Sequence, residues 1–257
     1  MKANEIFLEE RRRGIAELAR AEGRVTVDDL SQRYAVSGAT IRADLRALAE
    51  QGLLARTHGG AVLIERASRE LSFDARRHQQ PDAKQRIGRA AAALVCPGEA
   101  IVLDTSSTAL ELARALRDQR ELTILTNSLA VVDELFEAPQ IAVVLLGGML
   151  RRGSRSLVGH DGLGPLRRYT IGHGFFGAHG LAPDAGLTDV SPAEAEVKRA
   201  LVGACRSVVA LLDATKLGQV GAAAFAPASQ VDVLVTDAPA GHPGLAPFAA
   251  SMRIVSV

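Results

Sequence analysis

The sequence predicts an α/β protein with a small N-terminal helical domain that ends in a β-hairpin, followed by a larger open α/β sheet domain. Two observations predict this fold class. Before residue 65, three short helical patterns precede a pair of short strand patterns. Beyond residue 82, apolar strand patterns alternate with helical patterns. We therefore expect a first domain at residues 1–64, a polar linker at residues 65–82 and a second domain at residues 83–257.

The overall composition is that of an ordinary globular protein. Of the 257 residues, 47% are hydrophobic and 23% are charged, and the formal net charge is +1. Because this charge is close to zero, any affinity for nucleic acid must come from a local arrangement of basic residues. The charged N-terminus does not resemble a signal peptide, and no uncharged apolar run is long enough to span a membrane. We expect a cytoplasmic protein.

The third helical pattern is the most informative element of the first domain. It begins at Ser37, a favourable N-cap, and ends at Gly52, a favourable residue just beyond a helix. Ile41, Leu45 and Leu48 form one apolar stripe along it. A second helix starts at Thr26, with Asp29 as its capping partner, and is separated from the third by a turn short enough for a helix-turn-helix.

The opposite face of the third helix carries Ala39, Arg42, Ala43 and Arg46. Arginines reach phosphates and guanine edges, and alanines allow the helix to approach DNA and touch thymine methyl groups. A small three-helix packing module with solvated arginines is the alternative interpretation of this pattern. The order of cap, apolar stripe, basic outer face and stop favours a recognition helix.

Residues 53–63 read as a two-stranded hairpin with a Gly59-Gly60 turn and basic residues near its tip. A hairpin after a recognition helix is a wing, so the first domain is predicted to be a winged helix-turn-helix. Its expected DNA contacts are on the third helix and in the wing: Ser37, Ala39, Thr40, Arg42, Ala43, Arg46, Arg56, Thr57, His58 and Gly59.

Five apolar runs in the second domain predict buried parallel strands, at residues 100–103, 122–125, 141–146, 207–212 and 231–235. Polar or glycine clusters follow these runs. Because the carboxyl ends of parallel strands line the ligand crevice of an open sheet, the clusters predict a small-molecule site. The clusters contain Asp104, Thr105, Ser106, Ser107, Thr108, Thr126, Asn127, Ser128, Gly147, Gly148, Asp213 and Lys216. For any single cluster, capping of the next helix is an equally good explanation.

The chemistry of these residues favours a phosphorylated ligand. The hydroxyls of Thr105 to Thr108 precede a helix whose N-terminus suits an anion, and Lys84 and Lys216 would add positive charge. Asp104 and Asn127 suit sugar hydroxyls. A metal bound by His173 and His179 would need a third ligand, and none stands at a suitable spacing in the sequence. No nucleophile elbow, phosphate-binding P-loop or dinucleotide fingerprint is present. We expect no catalytic residues, no metal and no cofactor.

The stretch from Ser37 to Leu45, followed by the stretch from Gly52 to Ala61, resembles the signature of the DeoR family of sugar-metabolism regulators. Ala43 departs from this pattern, because the family usually has a second arginine there. The resemblance continues from Lys84 to Asp237 and includes the segment Val197-Lys198-Arg199. It implies a sensor domain similar in fold to ribose-5-phosphate isomerase, a phosphosugar-like effector and a place for Lys198 in the effector site.

Two further departures bear on that site. Ser106-Ser107 replaces the usual Gly-Thr pair of the phosphate loop, and serine disfavours some backbone angles that glycine permits. Gly172 stands where an aspartate is usual, and we expect the missing aspartate to leave one polar group fewer near the crevice.

The leading hypothesis is a transcriptional repressor of sugar or related carbon catabolism genes. Its partners would be double-stranded operator DNA and a small phosphorylated metabolite, and a homo-oligomer, either dimer or tetramer, would bind repeated half-sites. The alternative is a sugar-phosphate isomerase or deaminase-like enzyme with an accessory DNA-binding domain. In a third possibility, a constitutive DNA-binding protein uses its α/β domain only for oligomerisation.

Overall fold

The computed structural model describes residues 8–22, 24–50, 54–57, 59–63 and 71–257. The chain divides into two compact units, Met1–Arg69 and Glu70–Val257. This division differs from the expected linker at residues 65–82. Residues 71–82 belong to the second unit because Phe73 is fully buried there, packed with Leu110 and Ala130.

The described part of the first unit consists of three helices and a three-stranded antiparallel sheet of order β1-β3-β2. The helices pack around Ile15, Leu30, Ile41 and Leu45, all of them buried. In chain order the elements are α1 (Leu8–Glu22), β1 (Arg24–Thr26), α2 (Val27–Tyr34), α3 (Gly38–Glu50), β2 (Leu54–Thr57) and β3 (Gly60–Leu63).

Side-chain caps start the two helices of the helix-turn-helix, as expected. The Thr26 hydroxyl accepts a hydrogen bond from the Asp29 amide at 3.2 Å and donates one to the Asp29 carboxylate at 2.6 Å. The Ser37 hydroxyl accepts from the Thr40 amide at 3.2 Å. The expected stop residue of the third helix, Gly52, lies outside the described residues.

The hairpin differs in one detail from the expected Gly59-Gly60 turn. Thr57 pairs with Gly60, so Gly60 belongs to β3, and of the two glycines it is Gly59, with φ of 93°, that lies in the turn. Gly60 is required for another reason. A Cβ at this position would lie 2.1 Å from the Val25 carbonyl oxygen, so glycine allows β1 to pair with β3.

The second unit is built on a seven-stranded parallel sheet of order β15-β14-β12-β9-β4-β5-β6. Its elements in the first half are α4 (Phe73–Arg77), α5 (Pro81–Ala92), β4 (Ala100–Leu103), α6 (Ser107–Leu116), β5 (Leu122–Thr126), α7 (Leu129–Leu135) and β6 (Ile141–Leu145). The remaining elements are β7 (Met149–Arg151), β8 (Ser156–Val158), β9 (Ile171–Phe176), β10 (Gly180–Ala182), β11 (Gly186–Asp189), α8 (Pro192–Ala204), β12 (Cys205–Leu211), β13 (Ala223–Ala226), β14 (Val233–Thr236) and β15 (Arg253–Ser256).

Two apolar clusters cover the two faces of this sheet. Ile101 and Leu103 of β4 pack with residues of α5, α6 and α7 on one face. Val102 packs on the other face with α8 and with the small antiparallel sheet β10-β11-β13. The sheet is therefore the middle of three layers, which is the reason its strands read as continuous apolar runs.

All five predicted strands are present, but two strands of the sheet escaped prediction, β9 and β15. In β9, Gly172-His173-Gly174 interrupts the apolar run. These three residues lie in a strand between β4 and β12. In the part of the chain that the structure describes, no helix has both the length and the apolar character that crossing a membrane requires.

Candidate nucleic-acid interface and ligand crevice

Helix α3 presents the predicted small and basic residues outward. Ala39, Arg42, Ala43 and Arg46 are all exposed, whereas the stripe of the opposite face is buried. Ser37 is exposed and its hydroxyl lies 2.9 Å from that of Thr40, so the two hydroxyls form the helix start. The geometry suits a helix inserted in the major groove.

A buried ion pair, which the pattern of apolar residues did not indicate, holds α3 in place. Asp44 is 1% exposed, and its carboxylate oxygens accept hydrogen bonds from Arg11 Nε at 2.7 Å and Arg12 Nε at 3.0 Å. Both arginines lie on α1. The pair therefore fixes α3 against α1 and keeps the exposed face of α3 turned away from the core.

The wing residues are described in part. Arg56 and Thr57 lie in β2, and Gly59 is exposed in the turn. His58 lies outside the described residues.

The polar clusters of the second unit converge at the carboxyl edge of four adjacent strands. Asp104, Asn127, Gly177 and Asp213 follow β4, β5, β9 and β12, which neighbour one another in the order β12-β9-β4-β5. This edge is the one that lines the crevice in open α/β sheets. We refer to it as the crevice.

Lys198 of α8 joins three segments beneath the crevice. Its Nζ lies 2.9 Å from Asp104 Oδ2 and 2.7 Å from Asp189 Oδ2, and it donates to the Gly177 carbonyl oxygen at 2.7 Å. Burial alone would lower the pKa of Lys198, but the carboxylates of Asp104, Asp189 and Glu194 raise it above its ordinary value. Lys198 is therefore charged at every pH of interest, and most of its donors are already used.

Asp104 is fully buried, and both of its oxygens accept hydrogen bonds from the protein. Oδ1 accepts from the Ser106 amide at 2.9 Å, and Oδ2 accepts from the Gly177 amide at 3.0 Å and forms an ion pair with Lys198. Asp189, which the sequence analysis missed, shares this lysine. Burial favours a raised pKa for Asp189, but the charge and hydrogen bond of Lys198 lower it overall. The geometry makes Asp104, Asp189 and Lys198 positioning residues of the crevice floor.

The phosphate-loop departure does not strain the backbone. Ser106 has φ of −77° and ψ of 152°, an extended conformation open to any residue, and its hydroxyl accepts from the Ala109 amide at 3.0 Å as the N-cap of α6. Thr105, Ser107 and Thr108 are buried around it. The close approach is made by Gly177, since a Cβ there would lie 2.4 Å from the Ser106 Cβ.

The β7–β8 hairpin packs against the end of β5. Asn127 Nδ2 donates to the Leu157 carbonyl oxygen at 2.8 Å, and the Leu157 amide donates to the Asn127 carbonyl oxygen at 2.9 Å. Ser128 is buried, caps α7 through the Val131 amide and donates its own amide to the Thr126 hydroxyl. Asn127 Oδ1 is buried and has no hydrogen-bond partner among the described residues.

Gly147 and Gly148 form the connection from β6 to the hairpin. A Cβ at Gly148 would lie 2.3 Å from the Val158 carbonyl oxygen, and the φ of this residue is 137°. A Cβ at Gly162 would lie 2.2 Å from the Gly147 carbonyl carbon. These glycines thus serve close backbone packing at the end of β6.

Several basic groups of the crevice affect one another electrostatically. Lys84 of α5 is 5% exposed, and its pKa is lowered to about 8, chiefly by burial; Asp213 opposes the shift, and the charges of Lys216 and Arg76 add to it. The pKa of His179 is lowered by burial and by Lys216. The Asp213 carboxylate is engaged by the amide and hydroxyl of Thr215. Basic groups that are brought together in a partly buried place suit an anion site.

Gly172 lies at the opposite edge of the sheet, which corrects the expectation that its side chain is missing from the crevice. It is the second residue of β9, whereas the crevice is at the carboxyl end of that strand. A Cβ there would lie 2.0 Å from Glu99 Oε1, which instead approaches His173 Nδ1 at 2.5 Å. The Glu99–His173 pair occupies the space that a larger residue would need.

Sequence reasoning missed Arg76 and Asp189 among the residues near the crevice. Arg76 stands in a stretch that looked like a solvated linker, and Asp189 ends β11, a short strand without an alternating pattern. Ser72 stands just before Phe73 as a favourable N-cap, and this sequence feature points to a helix at Arg76. No cluster of three or more potential metal ligands occurs within the described ranges.

A helix-turn-helix with a β-hairpin, an exposed basic face on its third helix and a separate α/β unit together define a class: DNA-binding transcriptional regulators. Residues 11–67 match the family model described as the DeoR-like helix-turn-helix domain, and residues 79–238 match the DeoR C terminal sensor domain. The chain belongs to the DeoR family. It is a transcriptional regulator rather than an enzyme.

Named relatives extend over nearly the whole chain. The HTH-type transcriptional regulator GolR of Listeria innocua is 38% identical over 232 residues, covering 90% of this chain and 91% of the relative. The glycerol-3-phosphate regulon repressor of Escherichia coli is 33% identical over 230 residues, with the same coverage of both chains. Ribose 5-phosphate isomerase A of Methanocaldococcus jannaschii matches 54% of this chain and 55% of its own, with 19% identity and a TM-score of 0.41.

Proposed function

We propose that this regulator represses genes of sugar or related carbon catabolism and that a phosphorylated metabolite, bound in the crevice, controls it. The observation that carries the proposal is the convergence of Lys84, Lys216 and Arg76 at the crevice, where burial contributes most to the lowered pKa of Lys84 and repulsion from Lys216 and Arg76 lowers it too. A bound phosphate would relieve that repulsion. The name of the glycerol-3-phosphate regulon repressor, a relative, supports the same ligand class.

In this proposal the two ends of the ligand meet different groups. The phosphate would lie near Lys84, Lys216 and the first turn of α6, where backbone amides of a helix N-terminus favour an anion. The unpartnered Oδ1 of Asn127 would accept a hydrogen bond from a ligand hydroxyl, since a buried acceptor without a partner costs free energy. Asp104 and Lys198 would hold the floor.

The DNA contacts in this proposal are those of α3 and the wing. Arg42 and Arg46 would reach base edges or phosphates, with Ser37, Ala39, Thr40 and Ala43 close to the groove wall, and Arg56 to Gly59 would contact the backbone. A single winged module has limited affinity, so we propose a homo-oligomer on repeated half-sites. The effector would act through its different affinities for two arrangements of the DNA-binding units.

A thermal-shift screen tests the effector class. The purified protein is heated with matched phosphorylated and free compounds: pentoses, hexoses, amino sugars and glycerol. A ligand of the native state raises the melting temperature by mass action. A shift with a phosphorylated compound but not with its free counterpart supports the proposal, and saturable binding excludes a domain that serves only oligomerisation. No shift with any phosphorylated compound contradicts it.

A further inference from the structure

Arg76 carries a feature that its surroundings within the protein do not explain. Its Nε and Nη2 atoms are buried, yet neither has a hydrogen-bond partner in the described part of the chain. A guanidinium is always charged, and a buried charged donor without a partner is costly. Such a group is retained where a partner arrives from outside, and the partner that matches its planar fork is a carboxylate or a phosphate.

The position of this guanidinium is set by the packing of α4. The Phe73 ring is fully buried against Leu110 of α6 and Ala130 of α7, and the Arg76 Cζ stands 5.7 Å from the centre of that ring. The Phe73 amide donates to the Gly153 carbonyl oxygen of the β7–β8 hairpin at 2.7 Å. Helix α4 is thus held over the first turns of α6 and α7, beside the crevice.

The electrostatic neighbours of Arg76 place it among the crevice residues. Its charge lowers the pKa values of both Lys84 and Asp189. Lys84 Nζ also donates to the Arg76 carbonyl oxygen at 2.6 Å, which ties α5 to the end of α4. The one carboxylate among these groups, Asp189, is already paired with Lys198 at 2.7 Å.

We propose that Arg76 binds the phosphate group of the effector directly, as a fork that complements Lys84 on the other side of the ligand. The proposal rests on the proposed function and deepens it. Helix α4 lies just after the boundary at Arg69 and Glu70. Phosphate binding at Arg76 would therefore act on the first helix of the sensor unit, close in the chain to the DNA-binding unit.

The test compares Arg76→Met with Arg77→Met, which changes the neighbouring arginine of the same helix in the same way. Isothermal titration with inorganic phosphate, and with the phosphorylated compound that most stabilises the wild-type protein, gives the affinities. We expect Arg76→Met to lose about tenfold or more in affinity, as for loss of a charge-assisted bond, and Arg77→Met to bind like the wild type. Arg76→Lys, which keeps the charge but lacks the fork, should be intermediate.

Two measurements separate binding from a structural role. Without ligand, Arg76→Met should melt at the same temperature as the wild-type protein or higher, because an unpartnered buried charge is removed. Hydrogen exchange in residues 71–80 should slow on ligand addition in the wild type but not in Arg76→Met. A marked loss of stability in unliganded Arg76→Met would overturn the proposal.

The remaining outcomes distinguish this proposal from the proposed function. If the wild-type protein and both methionine variants bind the phosphorylated compound equally, Arg76 is not a ligand, and the proposed function stands. If the wild-type protein binds none of the phosphorylated compounds, the proposed function fails, and the role of Arg76 fails with it.

Discussion

Lys198 shows how a single buried residue ties together several segments at the carboxyl edge of the sheet. It is 3% exposed and contacts two carboxylates and one carbonyl oxygen on three separate segments. Removing one partner of a buried ionic network leaves the others uncompensated, which is far more costly than losing a surface ion pair.

We therefore expect Lys198→Met to lower the free energy of unfolding by about 3–5 kcal/mol at neutral pH. Chemical denaturation of this variant and of the wild type gives the difference. Lys216→Met is the matched control, because Lys216 repels Lys84 and its loss should cost little. Equal losses in the two variants would contradict the role assigned to Lys198.

The difference in unfolding free energy between the wild type and Lys198→Met has a predictable pH dependence. In the wild type the folded pKa of Asp189 is lowered, so its contribution is complete above the ordinary carboxyl pKa and is lost as pH falls through the folded value. In Lys198→Met the buried carboxylate of Asp189 lacks its cation, so its pKa rises and protonation relieves the cost of burying its charge. The stability difference should therefore shrink between neutral and mildly acidic pH.

Arg42 is the residue on which sequence discrimination is expected to depend most. It is exposed on α3, next to Gly38, where a Cβ would approach its Nη1 at 3.2 Å. Arg42→Ala should weaken binding to an operator selected by the wild-type protein by about 1–3 kcal/mol and weaken random-sequence binding less.

Fluorescence anisotropy on the two duplexes measures the effect of Arg42→Ala. Arg13→Ala, which removes an exposed arginine from α1, serves as the control and should change both affinities little. Equal losses of Arg42→Ala on the two duplexes would mean that Arg42 contacts only phosphates.

At the scale of elements, the contact between α5 and α6 depends on a glycine. A Cβ on Gly88 would lie 2.6 Å from the Glu111 carbonyl carbon and 2.8 Å from the Leu112 amide nitrogen. These atoms belong to backbone and cannot rotate away. The close approach of α5 to α6 also determines where Lys84, one turn earlier on α5, meets the crevice.

Gly88→Ala is expected to destabilise the protein by about 1–3 kcal/mol through overpacking. Gly203→Ala is the opposite case, because Gly203 is also helical but exposed and has no atom within 4 Å of an added Cβ. It should stabilise the protein by about 0.5–1 kcal/mol through helix propensity. Urea denaturation measures both changes. A stabilising Gly88→Ala would show that the helices can move apart at little cost.

At the scale of the whole molecule, the two units form one regulator if the ligand changes DNA affinity. We expect the phosphorylated compound that stabilises the protein to lower operator affinity by roughly 5–150-fold, the usual range of coupling free energies. By linkage, operator DNA must lower the affinity for the compound by the same factor.

Titrations of operator with and without compound, and of compound with and without operator, measure the two factors. A scrambled duplex of the same length and composition is the control. An unchanged operator affinity at saturating compound would contradict control by the crevice, whatever the outcome for Arg76.

Short-range patterns in the sequence predict the local elements of this protein. The caps at Thr26 and Ser37, the stripe of Ile41, Leu45 and Leu48, and five of the seven strands of the sheet follow from short-range periodicity and capping chemistry. The placing of polar clusters at strand ends also follows, because parallel strands share a carboxyl edge. These features depend on residues close together in the chain.

Which polar residues pair with one another inside the protein depends on contacts between distant parts of the chain. Lys198 forms an ion pair with Asp104, a residue far from it in sequence, so two predicted ligand contacts are paired with each other. The sequence predicts a solvated linker at Arg76. In the structure Phe73 is buried, and the Nε and Nη2 atoms of Arg76 are buried without a hydrogen-bond partner among the described residues. Gly172 lies at the far edge of the sheet because it is near the start of β9, a strand that the glycines in its sequence made hard to predict. Desolvation and pairing depend on what packs over a group, and that is a property of the folded chain rather than of any short stretch of it.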